Sequence, residues 1–492
     1  MAGATALTVP SCGRGNGRRA VSAHDPSVAA RETTLGGVAP TIRRLALVAG
    51  PVQLDLAGHV VETWGYTGDP IRATAGEVLE VVLRNELPEN TTIHWHGIAI
   101  RNDMDGVHDL TQPPIAPDST FTYRFLVPDP GTYFFHPHTG LQLDRALYAP
   151  LIIDDPADPG AYDAEHVLVL DDWLDGTPEE TYASLRDGMG NMDMGDMSGM
   201  GDMGGMGGMH SGNAPDTSMP TPTGMGMSTL LGGHPGDVAY AMHLINQRPT
   251  ADRPTFDAPA GGRVRLRLVN AASDTAYRVA VGGHRLTVTH ADGFPIEPVE
   301  ADAVLLGMGE RYDVTVDVGA GVYPIVAVAE GKGQFAAAVL RSGNGEAPPA
   351  DTMPAELDGT TLGYADLVPH ESVRLAARTA DLEYTMQLTG QEMPYDWGIN
   401  GSAFAELDPF EVEQGQRVRL VLRNTSTMWH PMHLHGHTFA LDGGARKDTV
   451  IVLPDEEVAI SFDADNPGQW MFHCHNTYHL ESGMAALLSY VR

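Results

Sequence analysis

The sequence predicts an all-β protein built as three β-sandwich domains, and three observations lead there. A length of 492 residues exceeds what one hydrophobic core organises and suits roughly three domains of ordinary size. A pattern of Gly, alternating apolar residues and an Asn nine positions on occurs three times: GEVLEVVLRN from Gly76, GGRVRLRLVN from Gly261 and GQRVRLVLRN from Gly415. Elsewhere short β-rich runs are punctuated by Gly and Pro, as in RYDVTVDVGAGVYPIVAVAE, and long helical periodicity is scarce.

In chain order, the first 40 residues are rich in Gly, Ala, Ser and Arg, and residues 1–44 read as a disordered leader. Arg18 and Arg19 suggest a twin-arginine export signal, but AVSAHDPS follows where an apolar stretch belongs. The sandwich domains are expected at about 45–155, 156–350 and 360–492. Each repeat reads as a half-buried strand: Val418, Leu420 and Leu422 face the core, while Arg417, Arg419 and Val421 face outward. From about residue 187 to 228 a Met-rich, Gly-rich insertion interrupts the second domain. It holds half of the chain's 22 methionines, lacks periodicity and is expected to be disordered.

The composition narrows the partners. Thirty Lys and Arg against 64 Asp and Glu leave a net charge of −34, which repels nucleic acid and anionic membranes and attracts cations. No apolar run reaches the length of a membrane span. Two cysteines, Cys12 and Cys474, cannot make a disulfide framework, so the Cys474 thiol calls for another explanation.

The repeat indicates where chemistry sits. Nine and eleven residues past its Asn lie His94 and His96 in HWHG, and His433 and His435 in HLHG; the middle copy has Val279 and Val281. Near the domain ends PGTYFFHPH from Pro130 matches PGQWMFHCH from Pro467, aligning His136 with His473, His138 with His475 and Pro137 with Cys474. In a strand the two histidines of an H-x-H pair point the same way, so four pairs offer eight imidazoles to one metal cluster about an approximate twofold. Imidazole suits copper, zinc or iron. Copper is favoured by Cys474, His430 and His479, with Met484 five residues beyond His479, which together make the ligand set of a blue-copper electron-transfer centre.

These motifs, in order HWHG at His94, HPH at His136, HPMHLHGH at His430 and HCHNTYHLESGM at His473, resemble the multicopper oxidase family of laccases, bilirubin oxidases and cuprous oxidases. The resemblance covers nearly the whole chain from about residue 45 and implies cupredoxin-like Greek-key domains and four copper ions. It implies that His430, Cys474, His479 and Met484 hold type 1 copper, that His94 and His433 hold type 2, and that His96, His136, His138, His435, His473 and His475 hold the type 3 pair. Cys474, His473 and His475 then form a covalent electron path from substrate oxidation to dioxygen reduction. Asp105 matches an acid that assists proton delivery in relatives. At the positions where relatives carry a second acid, this chain departs from the pattern with Tyr478 and Thr477. The ligand count is complete without His437, which is expected to be structural.

The resemblance also implies work outside the cytoplasm, extracellularly or in the cell envelope or periplasm. Thioethers favour Cu(I), so the Met-rich segment, with Asp193, Asp196 and Asp202, suits a cuprous oxidase that gathers Cu(I) in copper tolerance, with phenols as side substrates. The alternatives are a laccase for phenols or aromatic amines and a copper-sequestering envelope protein. A nitrite reductase is disfavoured because His473 and His475 flank the cysteine.

Overall fold

The computed structural model describes residues 18–35, 40–68, 70–158, 160–188 and 225–492. Most of the expected Met-rich insertion, and residues 1–17 of the expected leader, lie outside them. The described chain forms three pairs of sheets: two four-stranded, then seven- and six-stranded, then six- and five-stranded.

The three repeats become the strands Val78–Asn85, Arg263–Asn270 and Arg417–Asn424, and each takes the same place in its sheet. Each pairs in parallel with the first long strand of its unit, Ile42–Leu56, Ala164–Trp173 or Leu382–Gln391. On the other side each pairs antiparallel with Thr120–Leu126, Arg311–Asp317 or Glu457–Asp463. The closing Asn has one job in all three copies. Its side-chain oxygen accepts from the backbone N–H two residues on, at Leu87, Ala272 and Ser426. Its amide donates to two carbonyls: Glu89 and Ile115, Thr275 and Leu306, or Met428 and Val452. These bonds tie the loop that leads into the next strand, which carries the histidines in the outer units.

Alternation holds for the core face: Val418, Leu420 and Leu422 are fully buried among Trp470 and Phe472, each burial favouring the fold by about 1.5–3 kcal/mol. The outward face departs from the prediction. Arg417 and Val421 are also buried, Arg417 through an ion pair with Asp463. In the second unit Arg265 and Arg267 are buried against Asp313, whose carboxylate accepts from Thr132 of the first unit, so that face is an interface.

Two boundaries need correction. Residues 1–44 read as a disordered leader, yet the first strand begins at Ile42, and residues 18–35 are ordered against the rest. Ala20 bridges Val491, Val21 and Val28 are buried, and the helix Pro26–Leu35 lets Arg31 donate to the Ala99 carbonyl. The third unit was expected from residue 360, but Thr361–Leu362 pairs with Ala303–Leu306 of the second unit's sheet. The Tyr364 hydroxyl, donating to Glu310, holds that crossing segment in place.

Candidate metal centre

The strand register brings the histidine pairs together. His94 stands opposite His136 in the antiparallel pair of His94–His96 with Gly131–His136, and His433 stands opposite His473 in the pair of His430–Leu434 with Gln469–Cys474. The two halves meet face to face. His94 Nε2 lies 3.4 Å from His433 Nε2, His138 Nε2 lies 3.5 Å from His473 Nε2, and His435 Nε2 lies 2.9 Å from His473 Nε2. His96 and His433 stack at 3.8 Å between ring centres, and His475 packs edge-on to His96 and His136. All eight predicted imidazoles are therefore gathered between the first and third units, and all eight are buried.

The expected twofold is visible in hydrogen bonds. His94 Nδ1 donates to the Asp105 carbonyl at 2.9 Å, and His433 Nδ1 donates to the Asp448 carbonyl at 2.9 Å. His136 Nδ1 donates to the Pro137 carbonyl at 2.9 Å, and His473 Nδ1 donates to the Cys474 carbonyl at 2.8 Å. The carboxylates continue the pattern: Asp105 accepts from His435 Nδ1 at 2.9 Å, and Asp448 accepts from His96 Nε2 at 3.1 Å. Each bond fixes a tautomer and leaves the ring's other nitrogen as a lone pair. Asp448 is thus the counterpart of Asp105. The sequence hid it, because Asp105 follows His94 by eleven residues whereas Asp448 follows His433 by fifteen.

The donor set fits cations. Burial, then the neighbouring rings, holds His136, His138, His435 and His475 well below the usual imidazole range, and burial does the same for His96 and His473. The rings are accordingly neutral. His136 Nε2, His96 Nδ1 and both nitrogens of His475 have no hydrogen-bond partner though buried, and with Nδ1 donating in each ring, Nε2 of His94 faces that of His433 and Nε2 of His435 faces that of His473 with no proton between them. Unpaired buried acceptors are costly, and metal ions would satisfy them.

Cys474 lies on the opposite side of its strand, in the core of the third unit. Its Sγ is 3.7 Å from His430 Nδ1 and 3.5 Å from His479 Nδ1, and those two nitrogens are 3.1 Å apart. Each outer nitrogen is held: His430 Nε2 by Ser426 Oγ at 2.7 Å, His479 Nε2 by Asp237 Oδ2 at 2.9 Å. Met484 is fully buried, and its carbonyl accepts from the Cys474 N–H at 3.0 Å. The short helix Thr477–Ser482, capped by Asn476, turns the chain so that His479 reaches Cys474.

The middle unit supplies none of these imidazoles but braces them. Arg311 is completely buried and donates through two nitrogens to Asp448, each at 2.7 Å. Behind it Lys447 bridges Asp292 and Glu310, each at 3.0 Å. Gly97, with φ of 85°, is required beside the first pair: a Cβ there would lie 2.6 Å from Asp448 Oδ2 and against Arg311. Sequence reasoning missed Arg311, Asp448 and Asp237. Asp237 comes from the middle unit, and no repeat carries it to His479.

The remaining candidates are also placed. His437 Nε2 bonds the Tyr490 hydroxyl at 2.7 Å, a structural contact. The Tyr478 hydroxyl donates to Asp144. A small cavity of about 30 Å³ is lined by His136, His138, His473, His475, Thr477 and Glu481.

Multicopper oxidase profiles match residues 58–158, 164–345 and 378–491. The chain is 45% identical over 463 residues to multicopper oxidase MmcO of Mycobacterium tuberculosis, covering 90% of this chain and 86% of the relative. It is 28% identical over 536 residues to a copper resistance protein A homolog of Pseudomonas syringae pv. tomato, covering 89% and 90%. Among solved structures, the laccase of Botrytis aclada aligns with a TM-score of 0.71 at 26% identity, covering 93% of this chain and 90% of that one. The units are accordingly cupredoxin-like, and the chain belongs to the multicopper oxidase family, copper-dependent oxidoreductases that carry four coppers of types 1, 2 and 3 and use dioxygen as acceptor.

Proposed function

We propose that this enzyme oxidises Cu(I) in copper tolerance, outside the cytoplasm, with phenols as secondary substrates. The balance is four Cu(I), one dioxygen and four protons giving four Cu(II) and two waters. In this reading His430, Cys474, His479 and Met484 hold type 1 copper, His94 and His433 hold type 2, and His96, His136, His138, His435, His473 and His475 hold the type 3 pair. The bound coppers supply the one-electron chemistry and the reduction of dioxygen. The chain supplies the path and the frame. Cys474 joins His473 and His475 through covalent bonds, so an electron received at the Cys474 sulfur would have a bonded route to the imidazole cluster. Asp105, bonded to His435 and close to His94, is placed to hold a proton for the product waters. The cavity beside His138 and Glu481 offers room for one small molecule, the size of dioxygen or water.

The observation that carries the substrate reading is the cover over His479. Its ring is fully buried, Trp397 stacks on it at 4.2 Å, and its Nε2 is taken by Asp237, which also accepts from Tyr395 at 2.6 Å. A phenol has no ring edge to touch, whereas a carboxylate one bond from the ring attracts a cation. The relatives named copper resistance protein A and the net charge of −34 support the same reading. A laccase reading draws on the likeness to the Botrytis aclada enzyme. A copper-sequestering role predicts copper loading without oxygen uptake on any reductant.

The test is removal of residues 189–224, comparing oxygen uptake with Cu(I) and with 2,6-dimethoxyphenol. Cu(I) oxidation is expected to fall several-fold while phenol turnover holds or rises. Unchanged Cu(I) oxidation would overturn the part given to the Met-rich segment.

A further inference from the structure

We infer that Asp274, in the loop behind the middle unit's repeat, is a positioning residue of the cysteine centre: its one buried carboxylate grips both pieces of chain that hold His479. The inference rests on the ligand set proposed above for the copper at that centre, and on hydrogen bonds alone for the grip.

The first piece is the short helix. Asn476 caps Thr477–Ser482, its side-chain oxygen accepting from the N–H groups of Tyr478 and His479. The Asn476 amide donates to Asp274 Oδ1 at 2.6 Å, so the cap that turns His479 toward Cys474 is tied to the second unit. The Thr477 N–H donates to the Ser273 carbonyl at 3.0 Å, a second tie between the same two segments. The other piece is the loop of Asp237, whose carboxylate takes His479 Nε2. The Asp237 N–H donates to Asp274 Oδ1 at 3.1 Å, and the Val238 N–H donates to Oδ2 at 2.9 Å. A Cβ on Gly236, with φ of 136°, would lie 2.6 Å from Asp274 Oδ2, so this approach needs glycine.

The carboxylate is itself held. It is fully buried, and Lys332 Nζ donates to Oδ2 at 2.7 Å. Four donors therefore converge on its two oxygens, which is what a carboxylate can accept. Lys332 also donates to the Val238 carbonyl at 2.9 Å, and Asp172 accepts from the N–H groups of Ser273 and Asp274. Asn270, which closes the repeat, donates to the Thr275 carbonyl. In the outer units the loop after this Asn leads to the histidines; in the middle unit it carries Asp274.

The consequence falls on the ring. An imidazole whose outer N–H faces a carboxylate is more basic and donates more strongly at its other nitrogen. Loosening Asp274 lets His479 and Asp237 drift apart, weakens that donation and favours the reduced centre.

The experiment compares copper-loaded, full-length N476S, D274N and D274N/N476D. Serine caps a helix about as well as asparagine but is too short to reach Asp274, and N476S changes no charge. D274N sets an amide against the Asn476 amide; the exchange D274N/N476D rebuilds that bond with donor and acceptor reversed and restores the net charge. Voltammetry is expected to show a higher type 1 potential in both single variants and a return toward the parent value in the exchange. Crystals of N476S should show His479 Nε2 farther from Asp237 than the parent's 2.9 Å. A potential in N476S equal to the parent's, or an exchange variant no nearer the parent than D274N, would overturn the positioning role. A displaced His479 ring in N476S, with no blue absorption in the copper-loaded parent, would leave the positioning standing and remove the type 1 ligand reading.

Discussion

At the scale of single residues, Cys474 carries the heaviest expectation. Its sulfur faces His430 and His479, and its strand neighbours belong to the other cluster. Cys474→Ser is expected to abolish the blue charge-transfer absorption and substrate oxidation while circular dichroism stays native. A variant that remained blue would contradict the assignment. On the ligand set proposed above, Met484→Leu would remove a weak donor and should raise the type 1 potential, read by voltammetry. Glu481 yields a pH prediction. Burial, then the nearby Glu179, raises it from 4.5 to about 7. The unfolded chain gives up this proton at lower pH than the fold does, so stability falls as pH rises from about 4.5 to about 7, by on the order of 1 kcal/mol after screening. E481Q should narrow the gap in melting temperature between pH 5 and pH 8; an unchanged gap would show that Glu481 does not cause it. The gathering of the eight imidazoles was legible in the sequence because an H-x-H pair in a strand has one geometry. Asp237 was not, because an acid in a loop of another unit reaches His479 only through tertiary packing.

At the scale of elements, the three Asn-terminated strands were legible because alternation and the closing Asn are local signals, and the Asn hydrogen bonds recur in all three copies. The N-terminal helix was not. PSVAARETTL has a weak apolar face, and Val28 gains its burial through tertiary packing, in a core cluster made mostly of third-unit residues. Residues 18–35 act as a strap: Val21 bonds Tyr490 of the last strand and Arg19 bonds Arg492 just past it, while Glu32 bonds Arg101 and the Leu126 N–H in the first unit. Val21→Asp should release the strap and cost about 1.5–3 kcal/mol, seen as a lower melting temperature and new protease cleavage before residue 40. A melting temperature equal to the parent's would mean the strap contributes little.

At the scale of the whole molecule, the imidazole cluster lies between the first and third units, and the second, which contributes none of its eight imidazoles, ties them together through Arg311. That guanidinium also donates to the Thr132 carbonyl of the first unit, and Asp448, its partner, bonds His96. Arg311→Leu leaves the buried Asp448 carboxylate without its cationic partner, so a loss of about 3–5 kcal/mol is expected. Copper should be lost from the cluster before the blue centre, read by copper counting and absorption together. The cover over His479 belongs to this scale too, because Asp237 comes from the second unit while Tyr395 and Trp397 come from the third. The substrate reading stands on that cover, and oxygen uptake by the fully copper-loaded enzyme tests it most directly, with Cu(I) and 2,6-dimethoxyphenol compared under matched conditions. Much faster uptake with Cu(I) is the expected result; a clear advantage for the phenol would contradict the cuprous oxidase and identify a laccase whose substrates reach His479 by another path.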